Sequence, residues 1–165
     1  MRVLYDISVP GVGHYFPRAR TGIYRVAENL ALELAADGDI ELSFRSLENH
    51  IYVVQALRYL ESREELSELP FCYADGPEDA SLRNLAGWFP APRGGNEEAA
   101  RLHRGFRARA IKFWISRVLK RATPAFYARQ PKFDIYHSPF HPLPERSREL
   151  QKTQRFTTVH DLIPI

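Results

Sequence analysis

Apolar residues crowd Arg2 to Ser8 (RVLYDIS) and stop at Val9-Pro10-Gly11, which predicts a short strand buried on both faces. Pro10 to Thr21 breaks the pattern and reads as a loop. Beyond Thr21, a residue able to cap a helix, Ile23, Val26, Ala27, Leu30, Ala31, Leu34 and Ala35 recur at three- and four-residue steps. Arg25, Glu28, Asn29 and Glu33 take the other side, as in an amphipathic helix packed on a sheet. Asp37-Gly38 is a helix stop, and Ile40 to Ser46 (IELSFRS) alternates as a second strand does. A strand, helix, strand crossover of this kind joins parallel strands.

Ile51 to Leu66 is apolar at helical spacing and predicts a further helix. Residues 70–96 are richer in Pro, Gly and Asp and read as an irregular excursion. A long basic helix is expected from about Glu97 to Ala122, with Phe106, Ala110, Phe113, Trp114 and Val118 on its apolar stripe. Phe133 to His137 and Phe156 to Val159 then read as strands, the first ended by Ser138-Pro139 and the second by His160-Asp161. No internal repeat interrupts the series. Alternating strands and helices with near-continuous apolar strands predict one α/β domain over residues 1–165: a Rossmann-like, doubly wound parallel sheet with helices on both faces.

Composition changes this picture in three places. A chain of 165 residues that is 44% hydrophobic can bury a core of its own. The 23 basic and 20 acidic residues nearly cancel, but from Ala99 to Phe133 there is no Asp or Glu while Lys and Arg recur. That stretch has three readings: a solvated face with alkyl stems over the core, a surface for anionic membrane, or a nucleic-acid contact. No recognisable nucleic-acid module accompanies it, so no nucleic-acid partner is expected. The single cysteine, Cys72, excludes an internal disulfide and a Cys-rich zinc site and fits a reducing, cytoplasmic compartment. Neither a signal peptide nor a membrane-spanning run is visible at the start, so membrane contact would be peripheral.

In doubly wound sheets ligands bind beyond the carboxyl ends of the strands, and the segments Val9 to Gly22, His137 to Pro142 and His160 to Pro164 fall there. Gly11-Val12-Gly13 leads towards a helix beginning at Gly22, whose free N–H groups suit phosphate; equally, these glycines merely turn a surface loop. A dinucleotide fingerprint would need glycine at Phe16, and no Walker lysine is present. His160 can exchange a proton or hydrogen-bond a sugar hydroxyl, or it can be a strand-end histidine bonded to backbone with Asp161 capping a turn. His137 and His141 are four apart, but Pro139 and Pro142 forbid the helix that a paired zinc-ligand face requires.

Three stretches, RTGIYRVAENLALELA, FDIYHSPFHPLP and TTVHDLIPI, resemble in order and spacing the amino-terminal half of bacterial family-four glycosyltransferases of the GT-B fold. The resemblance spans the first ~45 and last ~35 residues and leaves the middle uncovered. It implies two Rossmann-like domains facing a cleft, of which this is the acceptor side, and retaining transfer from a UDP- or GDP-linked sugar to a polysaccharide or lipid-linked oligosaccharide. No metal or other cofactor is implied. Matched residue by residue, Gly11, Gly13 and Gly22 would lie near the donor diphosphate or sugar, His160 would reach the donor sugar as the catalytic residue, and His137, Ser138 and Asp161 would line the cleft. The family often has glycine where Tyr24 stands, which weakens close phosphate approach at that turn. The carboxyl-terminal donor-binding domain is missing from this chain, which is expected to be half an enzyme with little activity alone. Its expected location is cytoplasmic, possible contact being with the inner face of the membrane. The alternative is a stand-alone sugar- or nucleotide-binding module without turnover, and a flavodoxin-like domain is a third reading.

Overall fold

A computed structural model describes residues 1–47, 50–72, 133–141 and 153–158. Among these residues four parallel strands form one sheet: β1 (Arg2–Asp6), β2 (Glu41–Arg45), β3 (Ile135–Ser138) and β4 (Gln154–Thr157), in the order β2-β1-β3-β4. Val3 lies opposite Leu42 on one side and Ile135 on the other, so side chains paired in register share a face across the sheet. Beyond β2, Phe71 makes one more parallel bridge to Phe44, with Phe44 N–H donating to Pro70 O (2.8 Å) and Cys72 N–H to Phe44 O (2.7 Å).

Among the described residues four helices accompany the sheet: α1 (Ser8–Tyr15), α2 (Gly22–Ala36), α3 (His50–Glu61) and α4 (Glu64–Ser67). Val3, Tyr5, Leu42 and Phe44 face Ala31 of α2, Val53, Ala56, Leu57 and Leu60 of α3 and Leu66 of α4 in one buried apolar cluster. Burying a Leu or Phe side chain of this kind contributes about 1.5–3 kcal/mol. The Tyr5 hydroxyl donates to Ala27 O (3.0 Å), a buried polar tie from β1 to α2. The other face carries Leu4, Phe133 and Tyr136, also buried, with Cys72 against them.

The α2 helix and β1, β2 and β3 stand within a residue or two of the positions that the apolar pattern predicts, and β4 begins two residues earlier, at Gln154. Two expectations are corrected. The stretch Pro10 to Thr21 is not a loop: most of it belongs to α1 and to a 3-10 turn at Pro17–Ala19. Pro10 is the third residue of α1, where no intrahelical N–H is needed, so it starts the helix as readily as it would end one. The helix expected over Ile51 to Leu66 is two helices. The Ser62 N–H is shared between Arg58 O (3.2 Å) and Tyr59 O (3.0 Å), and its hydroxyl bonds Tyr59 O (2.6 Å), which tightens and ends α3. The predicted basic helix, residues 73–96 of the predicted excursion, and His160 and Asp161 lie outside the described residues. Among the described residues no helix is long and apolar enough to cross a membrane.

Candidate functional site at the strand ends

Parallel strands end on one side of the sheet, and the residues that follow β1, β2 and β3 meet there. Asp6 closes β1, and its Oδ1 accepts the N–H (2.9 Å) and the hydroxyl (2.6 Å) of Ser8. The Ser8 Oγ in turn accepts the N–H of Leu47 (2.8 Å), just past β2, while Ile7 N–H donates to Arg45 O (2.8 Å). The β1–α1 turn is therefore fastened to the end of β2 through buried polar groups. Buried pairing of this kind is costly to break, because each freed group stays out of water.

From this anchor α1 runs against α3. A Cβ on Gly11 would stand 2.8 Å from Ala56 N, and one on Gly13 would fall 2.2 Å from the Tyr24 ring, so these glycines permit the approach of α1 to α3 and α2. Gly11 N–H donates to Ile7 O (3.1 Å) inside the helix, where a phosphate has no access to it. Gly22 differs: it is exposed, nothing lies within 4 Å of a Cβ there, and it opens α2 without a side-chain cap from Thr21. Of the three glycines, it alone has space for a ligand beside it.

A pocket of about 260 Å³ lies among these elements, lined by Val9 and Val12 of α1, Ala19, Thr21, Ile23 of α2, Tyr52 of α3, and Phe140 and His141 beyond β3. Two of the segments expected at the site, Val9 to Gly22 and His137 to Pro142, are thus brought together. The His141 ring stands edge-on to Tyr52 (centroids 6.0 Å, 71°) and to Phe140 (5.2 Å, 75°). Ser138, fully buried, donates its hydroxyl to His141 O (2.7 Å) and so sets the turn that presents both rings. His137 is half-buried in β3, packed edge-on against Tyr5 (5.5 Å) with Nε2 2.8 Å from Thr158 Oγ1; burial holds its pKa below the usual histidine value. Neither His137 nor Ser138 lines this pocket; Phe140 and His141 supply its wall from that loop.

On the opposite face of the sheet the same strand ends are polar. Asp6 and Arg45 are 1% and 5% exposed, and the Arg45 guanidinium lies over the Tyr136 ring at 5.5 Å. The Tyr136 hydroxyl is 3.5 Å from Asp6 Oδ2, and burial, then the Asp6 charge, raises its pKa. Asp6 and Arg45 were not singled out from the sequence, although a charged residue closing an otherwise apolar strand, as in RVLYD and ELSFR, is a usable signal. Tyr52 and Ile23 carried no such signal, since an apolar or aromatic residue at helical spacing reads as core.

A third polar assembly braces the helices. Glu28 Oε1 accepts the hydroxyls of Tyr24 (2.8 Å) and Tyr59 (3.1 Å) and is paired with Arg63. Beside it, burial and then the charges of Arg20, Arg63 and Arg58 lower the pKa of His14. Among the described residues no three His, Cys, Asp or Glu side chains gather as a metal-ligand set. No family model, curated protein or solved structure matches this chain.

Proposed function

We propose that this chain is the acceptor-side domain of a retaining GT-B glycosyltransferase, which moves a sugar from a UDP- or GDP-linked donor to a polysaccharide or lipid-linked oligosaccharide. One observation carries the reading furthest. The four strands run β2-β1-β3-β4, an order that a flavodoxin-like sheet shares, and the parallel bridge of Phe71 to Phe44 at the outer edge of β2 favours the Rossmann order, in which a further segment follows β2 at that edge. The pocket lies beyond the carboxyl ends of these strands, where such sheets take ligands. The three quoted motifs add the family to that fold.

The doubly wound arrangement belongs to the same proposal. The apolar face holding Leu4, Phe133 and Tyr136 is buried, and right-handed crossovers to the far side of β1 favour cover on that face. In this reading the exposed start of α2 at Gly22 faces the donor phosphates, its N–H dipoles stabilising the leaving diphosphate. Gly11 and Gly13 act from behind by seating α1. His160 positions or polarises the donor sugar, Asp161 supports its loop, and the second domain supplies the other wall of the cleft. Catalysis then needs no metal, and contact with the inner membrane face is peripheral.

Calorimetry with UDP-glucose and GDP-mannose, on this chain and on the intact protein, tests the reading. Weak binding by the chain and turnover by the intact protein are expected. Binding without turnover by the intact protein would favour a sugar- or nucleotide-binding module, and no binding of either donor by the intact protein would reject the proposal. For the intact enzyme, His160→Ala should lower turnover at unchanged stability; equal turnover returns His160 to a structural part.

A further inference from the structure

We infer that the pocket between α1, the starts of α2 and α3 and the β3 turn is a subsite for an uncharged, apolar ring, aromatic or alicyclic, carried by the molecule that binds at the strand ends. Assigning that molecule as a glycosyl acceptor rests on the reading above; the chemistry of the subsite rests on its walls alone. Val9, Val12, Ala19 and Ile23 offer only carbon, and none of the described lining residues is Asp, Glu, Lys or Arg. An anion or ammonium group placed there would lose its hydration without a side-chain counter-charge. A bare hexose fits no better. Its hydroxyls outnumber the side-chain partners, which are the Thr21 and Tyr52 hydroxyls and the His141 ring nitrogens.

A ring suits the space and the stacking surfaces. An apolar cavity of roughly 150 Å³ accepts benzene, so about 260 Å³ accepts a ring with a substituent leading out of the pocket. Phe140 is 49% exposed at the pocket wall, one of few large apolar side chains in the described residues left so open. Its ring is held edge-on by His141, itself edge-on to Tyr52, which leaves a fixed aromatic corner for a further ring to join. The fully buried Ser138 hydroxyl, bonded to His141 O, fixes the turn before any ligand arrives, so little ordering cost falls on binding.

Methyl-resolved NMR on the 165-residue chain tests this, with the Val9, Val12, Ala19 and Ile23 methyl groups as reporters and three probes: phenyl β-D-glucoside, methyl β-D-glucoside and inorganic phosphate. Saturable shifts of these methyls are expected with the phenyl glucoside, with affinity at least about tenfold weaker for the methyl glucoside and no response of the Val9 and Val12 methyls to phosphate. Phe140→Ala should weaken phenyl glucoside binding about 3- to 10-fold, the worth of one aromatic contact, and Ala19→Trp should abolish it by filling the space. Because Phe140 is exposed, its variant is expected to fold even if the Ala19 variant does not. Equal response to the two glucosides, a response to phosphate at the Val9 or Val12 methyls, no saturable shift, or unchanged affinity in Phe140→Ala would overturn the subsite. Phenyl glucoside binding by the chain with no transfer by the intact protein would instead remove the glycosyltransferase reading and leave the subsite standing.

Discussion

Replacing glycine by alanine at two positions should have opposite effects, because one glycine is held against backbone and the other faces open space. At Gly11 the added Cβ would stand 2.8 Å from Ala56 N, 2.9 Å from the Gln55 carbonyl carbon and 3.0 Å from Ala56 Cα. None of these atoms is the end of a flexible side chain, so α1 and α3 must separate by roughly half an ångström in an interior that is close-packed. Overpacking against backbone falls in the upper part of the usual range, about 2–3 kcal/mol, and alanine in a helix returns about 1 kcal/mol, which leaves a net loss of about 1–2 kcal/mol. At Gly22 nothing lies within 4 Å, and the same substitution should stabilise by up to about 0.5–1 kcal/mol through the unfolded chain. Urea unfolding followed by circular dichroism reads both. With a slope of about 2 kcal/mol per M, the Gly11→Ala midpoint should fall by about 0.5–1 M at unchanged slope, and that of Gly22→Ala should stay or rise. A Gly11→Ala midpoint at or above the parent would refute the close approach of α1 to α3, and with it the packing role assigned to this glycine.

Three further outcomes follow from the buried polar groups. Ser8→Ala removes the donor to Asp6 Oδ1 and the acceptor for Leu47 N–H; a loss of about 1–3 kcal/mol is expected in the same unfolding assay, with faster hydrogen exchange at the Leu47 amide. Glu28→Ala leaves the Tyr24 and Tyr59 hydroxyls and Arg63 without their common acceptor and should cost about 2–3 kcal/mol, while Glu28→Gln, which keeps an acceptor oxygen, should cost less; equal losses would argue against the shared contact. His14 and His137 both have lowered pKa values in the native state, so the unfolded chain takes up their protons first as pH falls. Their contribution is fully present above the unfolded pKa of 6.5 and is lost as pH drops from there towards the native values; urea midpoints between pH 7.5 and 5 should decline, and less steeply in the double variant His14→Gln, His137→Gln.

What could be read from the chain was whatever depends on local period. The α2 helix follows from Ile23, Ala27, Ala31 and their neighbours, and β1 and β2 follow from RVLYD and ELSFR, because each side chain's place is set by its distance along one element. What could not be read depends on partners remote in the chain. The sequence VPGVGHY looks like a loop until α3 is beside it, since only the Ala56 backbone explains why a helix carries Gly11 there. Gly22 has no such partner, so the three glycines separate into two packing residues and one open position only in three dimensions. The break at Ser62 is likewise a matter of hydroxyl-to-carbonyl bonding that a hydrophobic pattern does not register. The pocket joins Val12, Ile23, Tyr52 and Phe140 from four separate stretches, and no single stretch carries its signature.

The strand ends also show why the pocket side and the polar side of the sheet differ while sharing the same strands. Along β1, Val3 and Tyr5 point to the face packed by α2 and α3, and Leu4 and Asp6 point to the other; along β2, Leu42 and Phe44 oppose Ser43 and Arg45. One register therefore places Asp6 beside Arg45, and the next residue of β3 in that face is Ser138, with Tyr136 one step before it. Asp6 then serves the two sides differently. Its Oδ2 faces Tyr136, while its Oδ1 is taken by Ser8, the first residue of the helix that brings Val9 and Val12 to the pocket. Replacing Asp6 by Asn would keep an oxygen for the Ser8 N–H but remove a carboxylate charge from a position 1% exposed, which lies beside Arg45 in register and faces the Tyr136 hydroxyl. Asp6 Oδ1 accepts two bonds from Ser8 and Oδ2 faces the Tyr136 hydroxyl, so changing this carboxylate disturbs more buried contacts than removing the Ser8 hydroxyl, and Asp6→Asn should destabilise more than Ser8→Ala. If the two variants unfold at the same urea concentration, Asp6 acts on the turn alone, and the polar face has no part in holding the pocket wall.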